Sequence, residues 1–136
     1  MIRYCNTFAY KFLATSGDAM DETRIVSSNN RSIVLSSVNT SFGFDTYNAS
    51  NTIASGPIAN VPRFRFMDSD DSVIFEITPY FDQINGLSLT NAAQNSMHFQ
   101  IPGRGLFLEN GLKVNAIAPA PASGGMAMML SLMYEG

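Results

Sequence analysis

The stretch that decides the fold is residues 98–134, which read HFQIPGRGLFLENGLKVNAIAPAPASGGMAMMLSLMY. Two short apolar segments, 106–108 and 112–114, flank the sequence Glu109-Asn110-Gly111. Asn-Gly is the strongest short-range signal for a β-hairpin, because a type I′ turn needs positive φ at both central positions. The sequence therefore predicts that these two segments pair with each other as a hairpin.

The final segment, residues 126–134, alternates so that both of its faces are apolar. One face carries Met126, Met128, Leu130, Leu132 and Tyr134, and the other carries Ala127, Met129, Ser131 and Met133. A strand with two apolar faces belongs inside a sandwich or against a second subunit. Methionine suits a core as well as an adaptable contact surface, so both interpretations stay open. If the methionines form a contact surface, we predict subunit contacts at Met126, Met129 and Met133.

Short apolar segments of period two recur along the rest of the chain, separated by turn residues. They span 3–13, 24–28, 32–38, 40–47, 63–67, 73–78 and 96–101. No helical period is sustained beyond a turn or two. About 8–10 short strands at this spacing predict an all-β fold, a single antiparallel β-sandwich of jelly-roll type.

The domain prediction is one sandwich over residues 1–136. Residues 1–25 are either an added strand or an N-terminal arm that pairs with a neighbouring subunit. Segments 63–67 and 73–78 flank an acidic turn and are predicted to form a hairpin. Alternation predicts that Val73 and Ile77, and Phe99 of segment 96–101, face the core. Residues 48–60, rich in Asn, Ser and Ala, are predicted to be a loop that is open to binding or contact.

Composition narrows the class of protein. Hydrophobic residues make up 46% of the 136 residues, which excludes a disordered chain. Charged residues make up only 14%, against about 25% in an ordinary soluble domain. Such a chain either hides much of its surface against neighbours or stays soluble as a monomer through amides and hydroxyls. The net charge is −3 and no basic stripe is present, so we predict no nucleic-acid partner.

Neither a membrane nor an oxidising compartment is indicated. The longest apolar run is too short for a membrane span. The N-terminal segment lacks the continuous hydrophobic centre of a signal peptide. Cys5 is the only cysteine, which leaves no internal disulfide and favours synthesis in a reducing cytosol.

The residue types that carry chemistry are scattered. His98 is the only histidine. It alternates with apolar neighbours, which predicts that its side chain points outward from a strand. No nucleophile stands in a motif that would make His98 part of a catalytic triad. The nearest approach to a metal site is the cluster Asp68, Asp70, Asp71 and Glu76. It lacks the glycine and terminal glutamate of a calcium loop, so a solvated turn is the structural interpretation. We predict no catalytic residue, cofactor or metal, and hence no enzyme.

The pattern from Arg104 to Val114, followed by a small-residue loop and a last strand that ends Met133-Tyr134-Glu135-Gly136, resembles a known group. It is similar to the C-terminal part of small β-sandwich virion proteins of tailed bacteriophages, especially marine and cyanobacterial ones. The resemblance covers about 35 residues and is structural, not catalytic. Residues 1–30 have no place in that pattern.

The resemblance implies an assembly role. The chain would be a capsid decoration or cement protein that self-associates, as a trimer, and stabilises the shell. Its partners would be itself and the major capsid protein or another virion protein, and its location the virion, after synthesis in the host cytoplasm. The alternative is a receptor- or carbohydrate-binding module of a head fibre or tail, which the amides of residues 48–60 would suit.

Overall fold

The computed structural model describes residues 5–14, 19–28, 31–44, 62–78, 95–118 and 126–136. Every regular element in these ranges is a β-strand. The strands are β1 (Asn6–Ala14), β2 (Met20–Ser27), β3 (Ile33–Phe44), β4 (Arg63–Met67), β5 (Val73–Ile77), β6 (Asn95–Gln100), β7 (Leu106–Leu108), β8 (Leu112–Ala118) and β9 (Met126–Glu135). Nothing helical in these ranges has the length and apolar character that a membrane crossing requires.

The strands form two antiparallel sheets. Sheet A has the order β1-β9-β3-β6, and β7 pairs with the end of β3 that β6 leaves free. Sheet B has the order β2-β8-β4-β5. Among the described strands only β4 and β5 are consecutive partners in one sheet, and the other connections cross between the sheets or continue along the edge of β3. This is a jelly roll, which confirms the predicted all-β antiparallel sandwich.

The core lies between the two sheets and is filled by alternate residues of their strands. The largest fully buried side chains are Phe12, Phe42, Phe64, Phe66, Ile33, Leu35, Leu112, Met128, Leu132, Val38 and Val114. The ring centroid of Phe64, from sheet B, lies 5.7 Å from that of Phe12 and 5.3 Å from that of Phe42, both from sheet A. These separations are typical of favourable aromatic pairs, so the three rings join the sheets at the centre of the sandwich.

β9 occupies the middle of sheet A, between β1 and β3. Its inward residues Met128, Leu130 and Leu132 are at most 2% exposed, as the alternation predicted. β1 pairs with β9 from Asn6 to Ala14, and β2 pairs with β8. The two N-terminal strands therefore pair within this chain.

The predicted hairpin at Asn110-Gly111 is wrong. β7 pairs with β3 in sheet A, whereas β8 pairs with β2 and β4 in sheet B. Gly111 has φ of +77°, but Asn110 does not have the positive φ of a type I′ turn. A Cβ at position 111 would lie 2.6 Å from the carbonyl oxygen of Ser27. The glycine is required because the chain crosses from one sheet to the other in close contact with β2.

Several strand boundaries also differ from the prediction. β2 begins at Met20 rather than at residue 24, and β3 runs unbroken from Ile33 to Phe44 instead of ending near residue 38. Pairing with β9 along nearly its whole length holds β3 together across the polar residues in its middle. The hairpin of β4 and β5 is confirmed. The predicted loop 48–60 lies outside the described residues.

Two side chains predicted to face the core are substantially exposed. Phe99 is 41% exposed because β6 lies at the edge of sheet A in the described part of the chain. Val73 is 50% exposed because β5 lies at the edge of sheet B and a bulge shifts its register opposite Met67. Ile77, further along β5, is buried as predicted.

Candidate subunit interface

The outer face of sheet A is the side of the sandwich on which the sequence placed the subunit contacts. Cross-strand pairing assembles it from four distant parts of the chain. It consists of Thr7, Ala9, Lys11 and Leu13 from β1, Ala127, Met129, Ser131, Met133 and Glu135 from β9, Val34, Asn39 and Ser41 from β3, Ser96, His98 and Gln100 from β6, and Phe107 from β7. β9 runs along its middle, so its outward residues lie at the centre of the face.

Large apolar side chains are exposed on this face. Phe107 is 61% exposed, Leu13 and Met129 are each 50% exposed, and Met133 is 41% exposed. Met129 and Met133 thus lie on one face, as predicted. Met126 is paired with Ala14 and Phe44, and its side chain lies outside what the structure describes. The sequence analysis did not predict the exposure of Leu13 or Phe107. Successive residues of a strand point to opposite faces, so an inward Leu108 would have indicated an outward Phe107.

The two outer faces of the sandwich differ in charge. Among the described strand residues on the outer face of sheet A, Lys11 and Glu135 are the only charged side chains. The outer face of sheet B carries Asp21, Arg63, Arg65, Glu76 and Lys113. Charged residues are depleted at the centre of protein interfaces, so the outer face of sheet A is the better candidate for a subunit contact.

A shallow trough of about 580 Å³ crosses the outer face of sheet A from β1 to β6. Lys11, Met129, Ser41, Ser96 and His98 contribute to its lining. His98 lies opposite Asn39 in the β3–β6 ladder, and its Nδ1 atom is hydrogen-bonded to the Asn39 side-chain oxygen. His98 is therefore an exposed residue of the sheet surface, as predicted.

The acidic residues between β4 and β5 hold a turn together. One Asp68 carboxylate oxygen accepts hydrogen bonds from the backbone N–H groups of Asp70, at 2.9 Å, and Ser72, at 3.0 Å. The Asp70 carboxylate accepts from the amide of Asn110, and the Asp71 carboxylate pairs with Lys113. The turn is thereby fastened to the crossing at Gly111.

Glu76, the fourth member of the predicted acidic cluster, lies apart on β5. Its carboxylate is 2.8 Å from the Arg65 guanidinium and 4.0 Å from that of Arg63. No group of three or more His, Cys, Asp or Glu side chains in the described ranges is placed to hold a metal ion. Cys5 is exposed immediately before β1, and its thiol donates to the carbonyl oxygen of Asn6.

A polar cluster closes the edge of the sandwich between β1 and β2. The Tyr10 hydroxyl donates to Glu22 Oε1 at 3.2 Å, and Arg24 donates to the same oxygen through Nε at 3.0 Å and Nη2 at 2.6 Å. The hydrogen bond to Glu22 is the main cause that raises the pKa of Arg24, against a smaller lowering by burial. The cluster links β2 of sheet B to β1, the strand of sheet A that borders the candidate interface.

Comparison with known proteins supports the fold. No protein-family profile matches the chain, and no curated protein matches it. The fold is similar to that of a chain in the atomic structure of Sulfolobus Turreted Icosahedral Virus, with a TM-score of 0.51 and 13% identity over 97% of this chain and 45% of that one. Identity this low shows the jelly-roll fold alone.

Two further solved structures show weaker likeness. A chain of the infectious bursal disease virus Gx strain gives a TM-score of 0.42 and 11% identity, over 96% of this chain and 32% of that one. A chain of the cyanophage Pam1 capsid asymmetric unit gives a TM-score of 0.41 and 17% identity, over 96% and 81%. The present chain therefore spans less than half the length of the Sulfolobus virus and bursal disease virus chains.

Proposed function

We propose that this protein is a non-enzymatic structural component of a virion, which self-associates through the outer face of sheet A. The observation that carries the proposal is that the described residues of that face combine exposed apolar side chains with only two charged ones. The jelly-roll fold, shared with a chain of an icosahedral virus, supports the virion setting. Fold alone never establishes function, so the argument rests on the surface.

A second copy is the occupant that this face fits. The described part of this face carries only Lys11 and Glu135 as charged side chains, so two copies that meet through it bring few like charges together. Met129 and Met133 can repack against irregular partners, which suits a contact between identical faces. A charged partner would leave its own ions desolvated and unpaired against this face.

The size of the face sets the strength of the contact. With strands about 4.8 Å apart and a rise of about 3.3 Å per residue, the four main strands cover about 19 Å by 33 Å, roughly 600 Å². A stable specific interface buries about 800 Å² on each partner. The contact should therefore be weak between isolated molecules and become stable when a shell supplies further contacts. This supports the finer proposal of a capsid decoration or cement protein that binds the major capsid protein. A contact between identical faces joins two copies, so the trimer that the resemblance implies requires a further contact outside this face.

The proposal is tested by placing one charge at the centre of the face. We expect Met129→Asp to fold normally and to lose self-association in sedimentation equilibrium. The matched control is Ile25→Asp, at a side chain 66% exposed on the outer face of sheet B, which should associate like the wild type. Equal association by all three proteins, or a wild type that stays monomeric up to its solubility limit, would contradict the proposal.

A receptor- or carbohydrate-binding module is the second candidate, favoured by the trough on the same face. Its lining includes the hydroxyl groups of Ser41 and Ser96 and the amide of Asn39, which suit sugar hydroxyls. A glycan array distinguishes the candidates, because binding that is lost in Asn39→Ala while self-association persists would favour the module.

A further inference from the structure

We propose that Asn110 is a site of spontaneous deamidation, whose rate is set by the turn between β4 and β5 and whose product loosens that turn. This inference does not rest on the proposed function. The Asn-Gly pair, which predicted a hairpin, instead lies where the chain crosses from sheet A to sheet B. Asn110 is half-buried at this crossing, and Gly111 is buried.

The reaction needs only these two residues and water. The backbone nitrogen of Gly111 loses its proton to solvent and attacks the side-chain carbonyl carbon of Asn110. A bond forms between that nitrogen and that carbon, the bond from the carbon to Nδ2 breaks, and Nδ2 leaves as ammonia. Water then opens the cyclic imide at either carbonyl and leaves an aspartate or an isoaspartate. Glycine favours the attack because it has no Cβ to hinder the nitrogen.

The β4–β5 turn holds the groups that react. Nδ2 of Asn110, the atom that must leave, donates to Oδ2 of Asp70 at 2.8 Å. The backbone carbonyl oxygen of Asn110 belongs to the same peptide group as the attacking nitrogen. This oxygen accepts from the N–H of Ser69 at 3.1 Å and from the Ser69 hydroxyl at 2.7 Å. The peptide group must turn toward the side chain for the ring to close, so these hydrogen bonds oppose the reaction.

Gly111 is restrained from the other side. Its φ is +77°, and a Cβ at this position would lie 2.6 Å from the carbonyl oxygen of Ser27 and 2.7 Å from that of Ser28. The backbone therefore has little room to rotate while the crossing stays packed against the end of β2. Deamidation of the folded protein thus requires a local opening of the turn and the crossing, which costs less than global unfolding.

The product changes the contact between the turn and the crossing. Oδ2 of Asp70 accepts from an N–H of Asn110 before the reaction, whereas a carboxylate oxygen replaces that N–H afterwards. A hydrogen bond is lost and two like charges face each other. An isoaspartate also lengthens the backbone by an additional carbon at a tightly packed position. The turn should therefore loosen, and the change is irreversible because the ammonia is lost to solvent.

The rate is measured by mass spectrometry of peptides from the folded full chain and from the same chain in urea. The sequence Asn-Gly-Leu occurs at residues 85–87 as well as at residues 110–112, so in urea Asn85 and Asn110 should react at similar rates. In the folded protein we expect Asn110 to react at least about tenfold more slowly than in urea. Three hydrogen bonds, each worth about a fewfold factor, must break first.

Two pairs of variants test the role of the turn. Asp70→Ala removes one of these hydrogen bonds and should raise the rate at Asn110 in the folded protein about three- to tenfold. The matched control is Glu76→Ala, which removes a carboxylate of the same hairpin and leaves Asn110 bound, and it should keep the wild-type rate. Asn110→Asp mimics the aspartate product, and Asn110→Ala loses the donor without adding a charge. Hydrogen exchange at the Ser69 amide should be faster in Asn110→Asp than in Asn110→Ala.

Each outcome decides the inference. A folded protein in which Asn110 reacts as fast as in urea, or an Asp70→Ala rate no higher than that of Glu76→Ala, overturns control by the turn. An Asn110 that stays intact in urea while Asn85 reacts overturns the site itself. Equal exchange at Ser69 in Asn110→Asp and Asn110→Ala overturns the loosening. Circular dichroism checks that each variant is folded, and the proposed function stands in every case.

Discussion

The guanidinium carbon of Arg24 lies 4.3 Å above the ring centroid of Tyr10. Arg24 is on β2 of sheet B and Tyr10 is on β1 of sheet A, so this contact joins the edges of the two sheets. The Tyr10 ring also packs edge-on against Phe12, with centroids 4.7 Å apart. One side of Tyr10 therefore belongs to the core and the other to the polar cluster at the sandwich edge.

Removing the ring of Tyr10 should cost more than removing its hydroxyl. We expect Tyr10→Ala to lower the free energy of unfolding by about 1–3 kcal/mol, through lost burial and the lost ring pair with Phe12. Tyr10→Phe keeps the ring and should have a smaller effect. Urea unfolding followed by circular dichroism measures both. Equal losses in the two variants would show that the hydroxyl, and not the ring, holds the edge.

A charge at Leu130 should prevent folding. Leu130 is 2% exposed on the inward face of β9, and an unpaired carboxylate in that position is far more costly than lost apolar area. We expect Leu130→Asp to be insoluble or unfolded, whereas Leu130→Ala should fold with a loss of about 2–5 kcal/mol. A soluble Leu130→Asp protein with native circular dichroism would contradict the inward assignment.

Gly111 should be less replaceable than Gly103. Gly111→Ala adds a Cβ that meets the carbonyl oxygens of Ser27, at 2.6 Å, and Ser28, at 2.7 Å. Gly103 has a similar φ of +70°, but a Cβ there meets nothing within 4 Å. Gly103→Ala should therefore cost only the backbone strain of about 1–2 kcal/mol, and Gly111→Ala clearly more. Similar melting temperatures for the two variants would show that the crossing near β2 is looser than described.

The Asp68 carboxylate should stabilise the turn between β4 and β5. Asp68→Ala removes an oxygen that accepts from two backbone N–H groups, and we expect a loss of about 1–3 kcal/mol. Asp68→Asn keeps an acceptor oxygen and should lose less. Amide hydrogen exchange localises the effect, because Asp70 and Ser72 should exchange faster in the alanine variant. Unchanged exchange at both amides would exclude the capping role.

The sequence by itself determined the class of fold and the two sides of most strands. Period-two alternation is local, since successive side chains of a strand point to opposite faces. It therefore predicted buried Met128, Leu130 and Leu132, and the exposed positions of Met129 and His98. The hairpin of β4 and β5 was also predictable, because a short polar turn joins two strands that pair with each other.

Only the tertiary structure decided which strands become neighbours. Alternation shows which side of a strand is buried, but it does not show which sheet the strand joins. Asn110-Gly111 therefore predicted a hairpin turn, although the chain crosses there from sheet A to sheet B. The sequence also did not predict that β5 and β6 lie at sheet edges. The exposure of Phe99 and Val73 depends on which strands lie beside them, and alternation does not show this. The candidate interface itself unites β1, β3, β6, β7 and β9, and its charge-poor face exists only once pairing has brought those distant segments together.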